Sequence, residues 1–457
     1  MNVLLTLAQA IGGMIAGLRN VVARKLIPRM FLNWSDPDVL ARKRETLEKN
    51  RQQEGRPHEV LYFHEISDPY SHLTAQLLDK FTKEYEVELV PLVVGNPPSE
   101  TVHEPSLYKK YCLTDAIRIA PFYGTVFPNS RLPSDELISL AQRILCNLES
   151  NEFVPCVAEV SAHVWSGNEA ALKSLVNEKT PDTKKTSLLI SNNEDRRTSV
   201  EAFMGSTFSY EGELYWGVDR LDHLENRLKA LGLKKNSESS YISERIKSEG
   251  TRIPTESNIK LEFYPSLNSP YTSISLEKIK DLESDYPIEI ITKPVLPMLM
   301  RNMSIPNYKV KYIIKDSARE ARKHGIPFGK MLSPLGKPAE RAYSLFPWID
   351  EQGQGFEYIC RLMLSSFRKA EDIGKISYLR TLVEDLGLDW KVAEKHLDTD
   401  QWHKVLEENR LTMYKGNSWG VPSFRIVDGE DTFTTWGQDR IWLVEEEIIK
   451  RLKKLNE

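Results

Sequence analysis

A chain of 457 residues is long enough for about three structural units. Its 40% hydrophobic and 28% charged residues are ordinary globular usage. A net charge of −4, from 61 Lys and Arg against 65 Asp and Glu, lacks the basic excess of a dedicated nucleic-acid binder, so no nucleic-acid partner is expected. Four cysteines (Cys112, Cys146, Cys156, Cys360), no two in a Cys-x-x-Cys, exclude a disulfide framework, a zinc ribbon and a dithiol redox motif, and no metal site is expected.

Residues 1–18 carry no charge, and Arg19, Arg24, Lys25 and Arg29 follow them. Leu4, Leu7, Ile11, Met14, Leu18 and Val21 recur at helical spacing. A secretory signal places its positive charges before the apolar run, which is the reverse order. Gly12, Gly13 and Gly17 also weaken a membrane span. Residues 1–35 are therefore expected to form an amphipathic or membrane-associating helix, with residues 1–33 able to meet a membrane surface. The alternatives are a true span, whose downstream basic cluster would hold the body at the inner, cytoplasmic face of the membrane, and a helix packed on the body; in each case the body is expected in the cytoplasm. Residues 36–57, charged and polar, read as a connector or exposed helix.

From residue 58 the pattern changes. Glu59–Phe63 reads as a strand, Leu73–Tyr85 as a helix and Val87–Val94 as a second strand, followed by a long stretch of helical periodicity. Residues 58–235 are taken as a first domain and the polar residues 236–257 as a linker. Residues 258–457 are taken as a second domain in which the order recurs: strand Lys260–Phe263, helix Ile274–Leu282, strand Pro287–Thr292 and a helical region. The pair Phe424–Val427 and Thr432–Trp436, joined through Asp428-Gly429, reads as a hairpin, and Ile441–Leu455 as a closing helix.

The recurrence is also literal. Lys110, Tyr111, Asp115, Arg118, Ala120 and Gly124 have counterparts 201 residues on in Lys311, Tyr312, Asp316, Arg319, Ala321 and Gly325. Pro69-Tyr70-Ser71 answers to Pro270-Tyr271-Thr272 at the same offset, and Trp216-Gly217-Val218-Asp219-Arg220 answers to Trp436-Gly437-Gln438-Asp439-Arg440 at 220. Three blocks in the same order make the body a tandem repeat. The fold class is α/β: two tandem thioredoxin-like domains, each βαβ, helical insertion, ββα.

Four elements of the second domain bear on chemistry. Ser269-Pro270-Tyr271 opens a helix, whose free N–H groups and positive dipole end favour an anion such as a thiolate. No Cys stands there, so any thiol must come from outside; alternatively, Ser269 is only an N-cap. Val421-Pro422 precedes a strand, where a cis bond would free the Val421 peptide edge for an extended ligand, while a trans bond would only start an edge strand. Gln438-Asp439 stands before the last helix, where Asp439 is either a cap or a partner for a ligand ammonium group. Asn302, followed by Pro306, lies in a polar loop after the second strand.

Taken together, Phe263…Ser269-Pro270-Tyr271, Asn302…Pro306, Lys311-Tyr312…Asp316…Arg319…Gly325-Ile326-Pro327-Phe328, Gly420-Val421-Pro422-Ser423-Phe424 and Trp436-Gly437-Gln438-Asp439-Arg440 resemble one family. It is the 2-hydroxychromene-2-carboxylate isomerase family, related to kappa-class glutathione transferases in the DsbA-like branch of the thioredoxin superfamily. The resemblance covers about residues 259–453. It implies glutathione as cofactor, Ser269 as the catalytic residue that activates its thiol, and Val421 before cis-Pro422 along its cysteinyl backbone. It also implies Gln438 with Asp439 at its γ-glutamyl end, and Asn302 as a further contact. The substrate implied is a small-molecule electrophile such as an unsaturated aromatic 2-oxo acid.

The first domain resembles the same family over about residues 59–233, with departures. Asp68 stands where the activating Ser belongs, unless a turn one residue shorter brings in Ser67. Ser206 takes the cis-proline position and Val218 replaces the polar residue before Asp219. These changes imply a degenerate, structural domain, and the family's dimeric habit implies an internal pseudo-dimer of the two domains. The expected function is a glutathione-dependent isomerase or transferase. The alternative is a non-catalytic glutathione-binding or scaffold protein, and a thiol–disulfide oxidoreductase is disfavoured because neither turn carries a thiol.

Overall fold

The computed structural model describes residues 28–128, 131–236, 238–246 and 256–455. The chain divides into two compact units, one of residues 42–249 and one of residues 250–457 together with those before Arg42.

In the first unit, β1 (Glu59–Glu65) is the inner strand of a four-stranded sheet. It pairs in parallel with β2 (Glu88–Val94) and antiparallel with β3 (Thr207–Tyr210), which pairs with β4 (Glu213–Trp216). Val60, Tyr62 and Phe63 are fully buried, as a strand covered on both faces requires. The β3–β4 turn places Glu211 (φ 40°) and Gly212 (φ 75°) in the left-handed region that a two-residue hairpin needs.

In the second unit, β5 (Lys260–Tyr264) pairs in parallel with β6 (Glu289–Thr292) and antiparallel with β7 (Ser423–Asp428), which pairs with β8 (Asp431–Trp436). The two sheets have the same order and directions, giving the α/β class read from the sequence. Phe263 stacks on Phe424 with ring centroids 5.7 Å apart, and Leu261 and Ile426 are fully buried beside them. The inserted helices Lys337–Glu351 and Gly355–Leu364 add Tyr343, Phe346, Tyr358 and Ile359 to the same core, and the last helix, Ile441–Leu455, adds Val444 and Ile448.

Three details differ from the sequence reading. The expected helix Leu73–Tyr85 is two helices, Pro69–Ala75 and Leu78–Glu84. Gln76, at the break, turns its amide to the Val126 backbone, donating to its carbonyl (3.0 Å) and accepting from its N–H (2.9 Å). Within the 236–257 stretch, residues 238–246 lie against the first unit: buried Glu225 accepts from the N–H groups of Ile242 (2.8 Å) and Ser243 (3.2 Å). Ahead of the body, residues 28–35 are helical, and Phe31 and Trp34 pack on the core of the second unit, because two large apolar rings need cover. Among the described residues no helix is long and apolar enough to cross a membrane. The apolar stripe from Leu4 to Val21 lies outside them.

Candidate functional site

In the second unit the chain leaves β5, turns through residues 265–268 and opens the helix Pro270–Asp285. Ser269 caps that helix, its Oγ accepting from the Thr272 N–H at 3.1 Å. Tyr343, from the inserted helices, fixes the turn: its hydroxyl accepts from the Leu267 N–H (3.1 Å) and donates to the Val295 carbonyl (3.3 Å). Asn268 accepts from the Ser333 hydroxyl (2.9 Å).

The Val421–Pro422 peptide bond is cis. Its corner meets the helix mouth directly, since the Ser269 hydroxyl donates to the Val421 carbonyl across 3.4 Å. The corner is backed by Trp436, tilted against Trp419 with ring centroids 4.5 Å apart. A Cβ on Gly420 would fall 2.5 Å from Trp436 Cε2, so only glycine fits. The Gly437 N–H donates to the Pro422 carbonyl (2.8 Å), which fastens the turn Gln438–Arg440 to the same corner.

Ser269, Val421 and Pro422 are thus in contact, and Gln438 and Asp439 are held to them through one backbone bond. Gln438 is buried, and its amide donates to Glu320 (2.9 Å) and to the Asp439 carboxylate beside it. Asp439 is half-buried. Asn302 ends the 3-10 turn Met298–Arg301 in the left-handed region (φ 59°) and is exposed.

This combination of strand order, helix mouth and cis-proline corner coincides with a known domain family. The family model for the DSBA-like thioredoxin domain matches residues 260–448. Those residues form a DsbA-like thioredoxin domain. Among solved structures, a 2-hydroxychromene-2-carboxylate isomerase is 21% identical, with a TM-score of 0.36, covering 43% of this chain and 97% of its own. The cytosolic disulfide reductase DsbM from Pseudomonas aeruginosa is 16% identical, with a TM-score of 0.34, covering 42% of this chain and 99% of its own. A structure of that reductase with GSH is 14% identical, with a TM-score of 0.32, covering 42% and 99%. No curated protein sequence matches the chain.

Outside the DsbA-like domain, the first unit carries a different helix mouth. Phe63 pairs with Thr207, the first residue of β3, as Tyr264 pairs with Ser423, the first residue of β7. The 201-residue offset therefore holds from strand to helix, and the turn is not one residue shorter. Asp68 is the counterpart of Ser269. It caps the helix Pro69–Ala75, accepting from the N–H groups of Tyr70 (3.2 Å) and Ser71 (2.9 Å) and from the Ser71 hydroxyl (2.8 Å). Ser67 turns instead to Glu65 (3.0 Å) and Asn96 (3.3 Å).

Ser206 occupies the proline position at φ 52°, and the Gly217 N–H donates to its carbonyl (2.7 Å), as Gly437 does to Pro422. Glu65 fills the space beside the corner. A Cβ on Gly205 would lie 2.6 Å from Glu65 Cβ, 2.9 Å from its Oε2 and 3.1 Å from Asp68 Oδ2. Burial pushes the Glu65 carboxyl up to about 8, with Asp68 adding to the rise and Ser67 and Arg197 opposing it. Burial also raises Asp68, to about 6, against the bonds from Ser71 and Tyr70. Asp219 accepts from the Tyr123 hydroxyl at 2.9 Å.

The Tyr–Asp tether between the mouth helix and the next long helix occurs in both units. Tyr70 donates to Asp115 (2.7 Å) and Tyr271 to Asp316 (2.8 Å). Sequence reasoning missed Glu65, whose partner Gly205 is 140 residues away. It also missed Lys309 on the helix Asn307–Lys323, whose ammonium burial pushes down to about 8. No cysteine stands at the Ser269 mouth, whereas buried Cys112 lies beside the first, where burial and then the Asp68 charge raise its thiol against bonds with Tyr108 and Tyr70; Cys360 is buried, Cys146 and Cys156 are half-buried, and burial raises their thiols too. Among the described residues no group of three or more His, Cys, Asp or Glu is placed to hold a metal.

Proposed function

We propose that the DsbA-like domain binds glutathione at the Ser269 mouth and acts as a glutathione-dependent isomerase or transferase. The observation that carries this reading is a serine hydroxyl at a helix N-terminus, 3.4 Å from the carbonyl before a cis-proline, where no cysteine is available. When bound, glutathione supplies a thiolate nucleophile for an electron-poor carbon of a small electrophile, such as an unsaturated aromatic 2-oxo acid.

The chain's own groups fit that role. The Ser269 hydroxyl spends its proton on a long bond to Val421, so rotation about its C–O bond would redirect it to a sulfur anion at little cost. The helix Pro270–Asp285 adds the positive end of its dipole at the same point. Releasing the Val421 carbonyl leaves that peptide edge for a ligand's backbone. Asp439, steadied by Gln438, offers a carboxylate to an ammonium group. Four unpaired cysteines suit the reducing cytoplasm expected from the sequence.

Calorimetric titration of glutathione into the full chain between pH 6 and 9 tests the reading. One site per chain is expected. Ser269→Ala should raise the bound thiol's pKa by on the order of one to two units, the worth of one hydrogen bond to a charged acceptor, while weakening binding little at pH 6. Asp439→Ala should weaken binding at every pH and leave the thiol's ionisation alone. Two sites per chain, no binding, or identical behaviour of the two variants would overturn it.

A further inference from the structure

Next to the corner, on the loop after β6, a guanidinium is poorly satisfied. Arg301 is half-buried, and among the described residues its buried Nε has no hydrogen-bond partner. Its Nη1 donates to the Tyr414 hydroxyl across a long 3.4 Å. Tyr414 and Val421 both pack on the small core cluster of Tyr264, Val295 and Met413, so Arg301 is linked to the cis-proline corner through Tyr414 and that cluster. Glu407 is the nearby carboxylate, but Arg410 already grips both its oxygens (2.8 and 2.5 Å) and lays its guanidinium over the Tyr414 ring at 4.7 Å. Glu407 thus faces two guanidinium groups, Arg410 in a two-point grip and Arg301 at longer range. Apolar side chains accompany it: Leu299, in the same 3-10 turn, is 40% exposed, and Leu411, one helical turn before Tyr414, is 46% exposed.

A buried guanidinium nitrogen without an acceptor costs free energy, and the acceptor that best fits its planar fork is a carboxylate. We infer that Arg301, with the Tyr414 hydroxyl, is a carboxylate subsite of the DsbA-like domain, flanked by Leu299 and Leu411 for an apolar group. This deepens the glutathione reading and rests on it. Two sources offer that chemistry, the glycine end of glutathione itself and a carboxylate on the electrophile.

Two matched ligand pairs separate the sources when titrated into the full chain and its Arg301→Met and Arg301→Lys variants. One pair is glutathione and its glycine amide; the other is S-benzylglutathione and S-(4-carboxybenzyl)glutathione. Wild type should prefer the carboxylated member of one pair about tenfold, and Arg301→Met should erase that preference while leaving the neutral member within about twofold. Arg301→Lys should restore part of it. A preference in the first pair assigns the glycine carboxylate, and in the second the electrophile. If all four ligands bind wild type and Arg301→Met alike, the Arg301 assignment falls and the glutathione site stands. If none binds wild type, both fall.

Discussion

Replacing Glu65 by Gln should stabilise the first unit at alkaline pH and flatten its pH dependence. The wild-type carboxyl rises from 4.5 to about 8 on folding, so the native state holds a proton that the unfolded chain has released. A carboxyl with a raised folded pKa gives its full stability below its ordinary value, and loses it as pH climbs toward 8. At about 1.4 kcal/mol per pKa unit the loss reaches on the order of 5 kcal/mol. Asp68, raised from 3.8 to about 6, adds to the slope at lower pH. The other groups bearing on Glu65 are Ser67, Arg197 and Glu194; of these, Arg197 alone favours the anion through its charge. Glutamine keeps the length, still accepts from Ser67, and places an amide donor toward Asp68. Hydrogen exchange of peptides spanning residues 59–75 reads the local opening free energy, with residues 260–285 as an internal control. Wild type should lose protection in the first segment between pH 6 and 8.5, after correction for intrinsic exchange, while Glu65→Gln should not. At pH 8.5 the variant should be the better protected by at least tenfold. A slope that survives in Glu65→Gln, or a variant less protected than wild type at pH 8.5, would refute the assignment of the buried proton.

Gly420→Ala should destabilise the second unit by about 1–3 kcal/mol, seen as faster exchange in peptides containing β7 and β8, because the new methyl displaces the Trp436 indole. Tyr70→Phe and Tyr271→Phe should each cost about 1.5–3 kcal/mol within their own unit, as hydrogen bonds to charged groups do. Neither leaves its aspartate bare, since Tyr111 still donates to Asp115 at 3.2 Å and Arg319 still pairs with Asp316, so a loss far beyond that range in urea unfolding would show that the tether does more than hold two helices.

What was legible in the sequence is what local chemistry decides. Runs such as Val60-Leu61-Tyr62-Phe63 make buried strands wherever they fall. Ser269 before Pro270 announces a helix start, since the serine caps and the proline needs no N–H donor. The repeat put Asp68 opposite Ser269 by arithmetic, and only an imagined gap in the turn obscured it. Features set by distant residues were not legible. The break after Ala75 depends on Gln76 finding Val126, fifty residues on. The Glu65–Gly205 approach joins positions whose own neighbours say nothing of it. The Val421–Pro422 bond is compatible with either isomer locally, and the surrounding fold selects cis. Phe31 and Trp34 advertise a need for cover without naming which core provides it.

The two helix mouths differ in where their negative charge is kept. Asp68 is covalently attached, so its effective concentration at the N–H groups of Tyr70 and Ser71 is fixed by geometry and cannot be lowered by dilution. Ser269 brings a hydroxyl and no charge, so any anion at its mouth must come from solution. A tethered occupant responds to proton activity alone, whereas a borrowed one responds to the supply of a solute as well. One chain thus carries two copies of a single architecture; on the function proposed above, the first mouth answers to acidity and the second to the abundance of a solute.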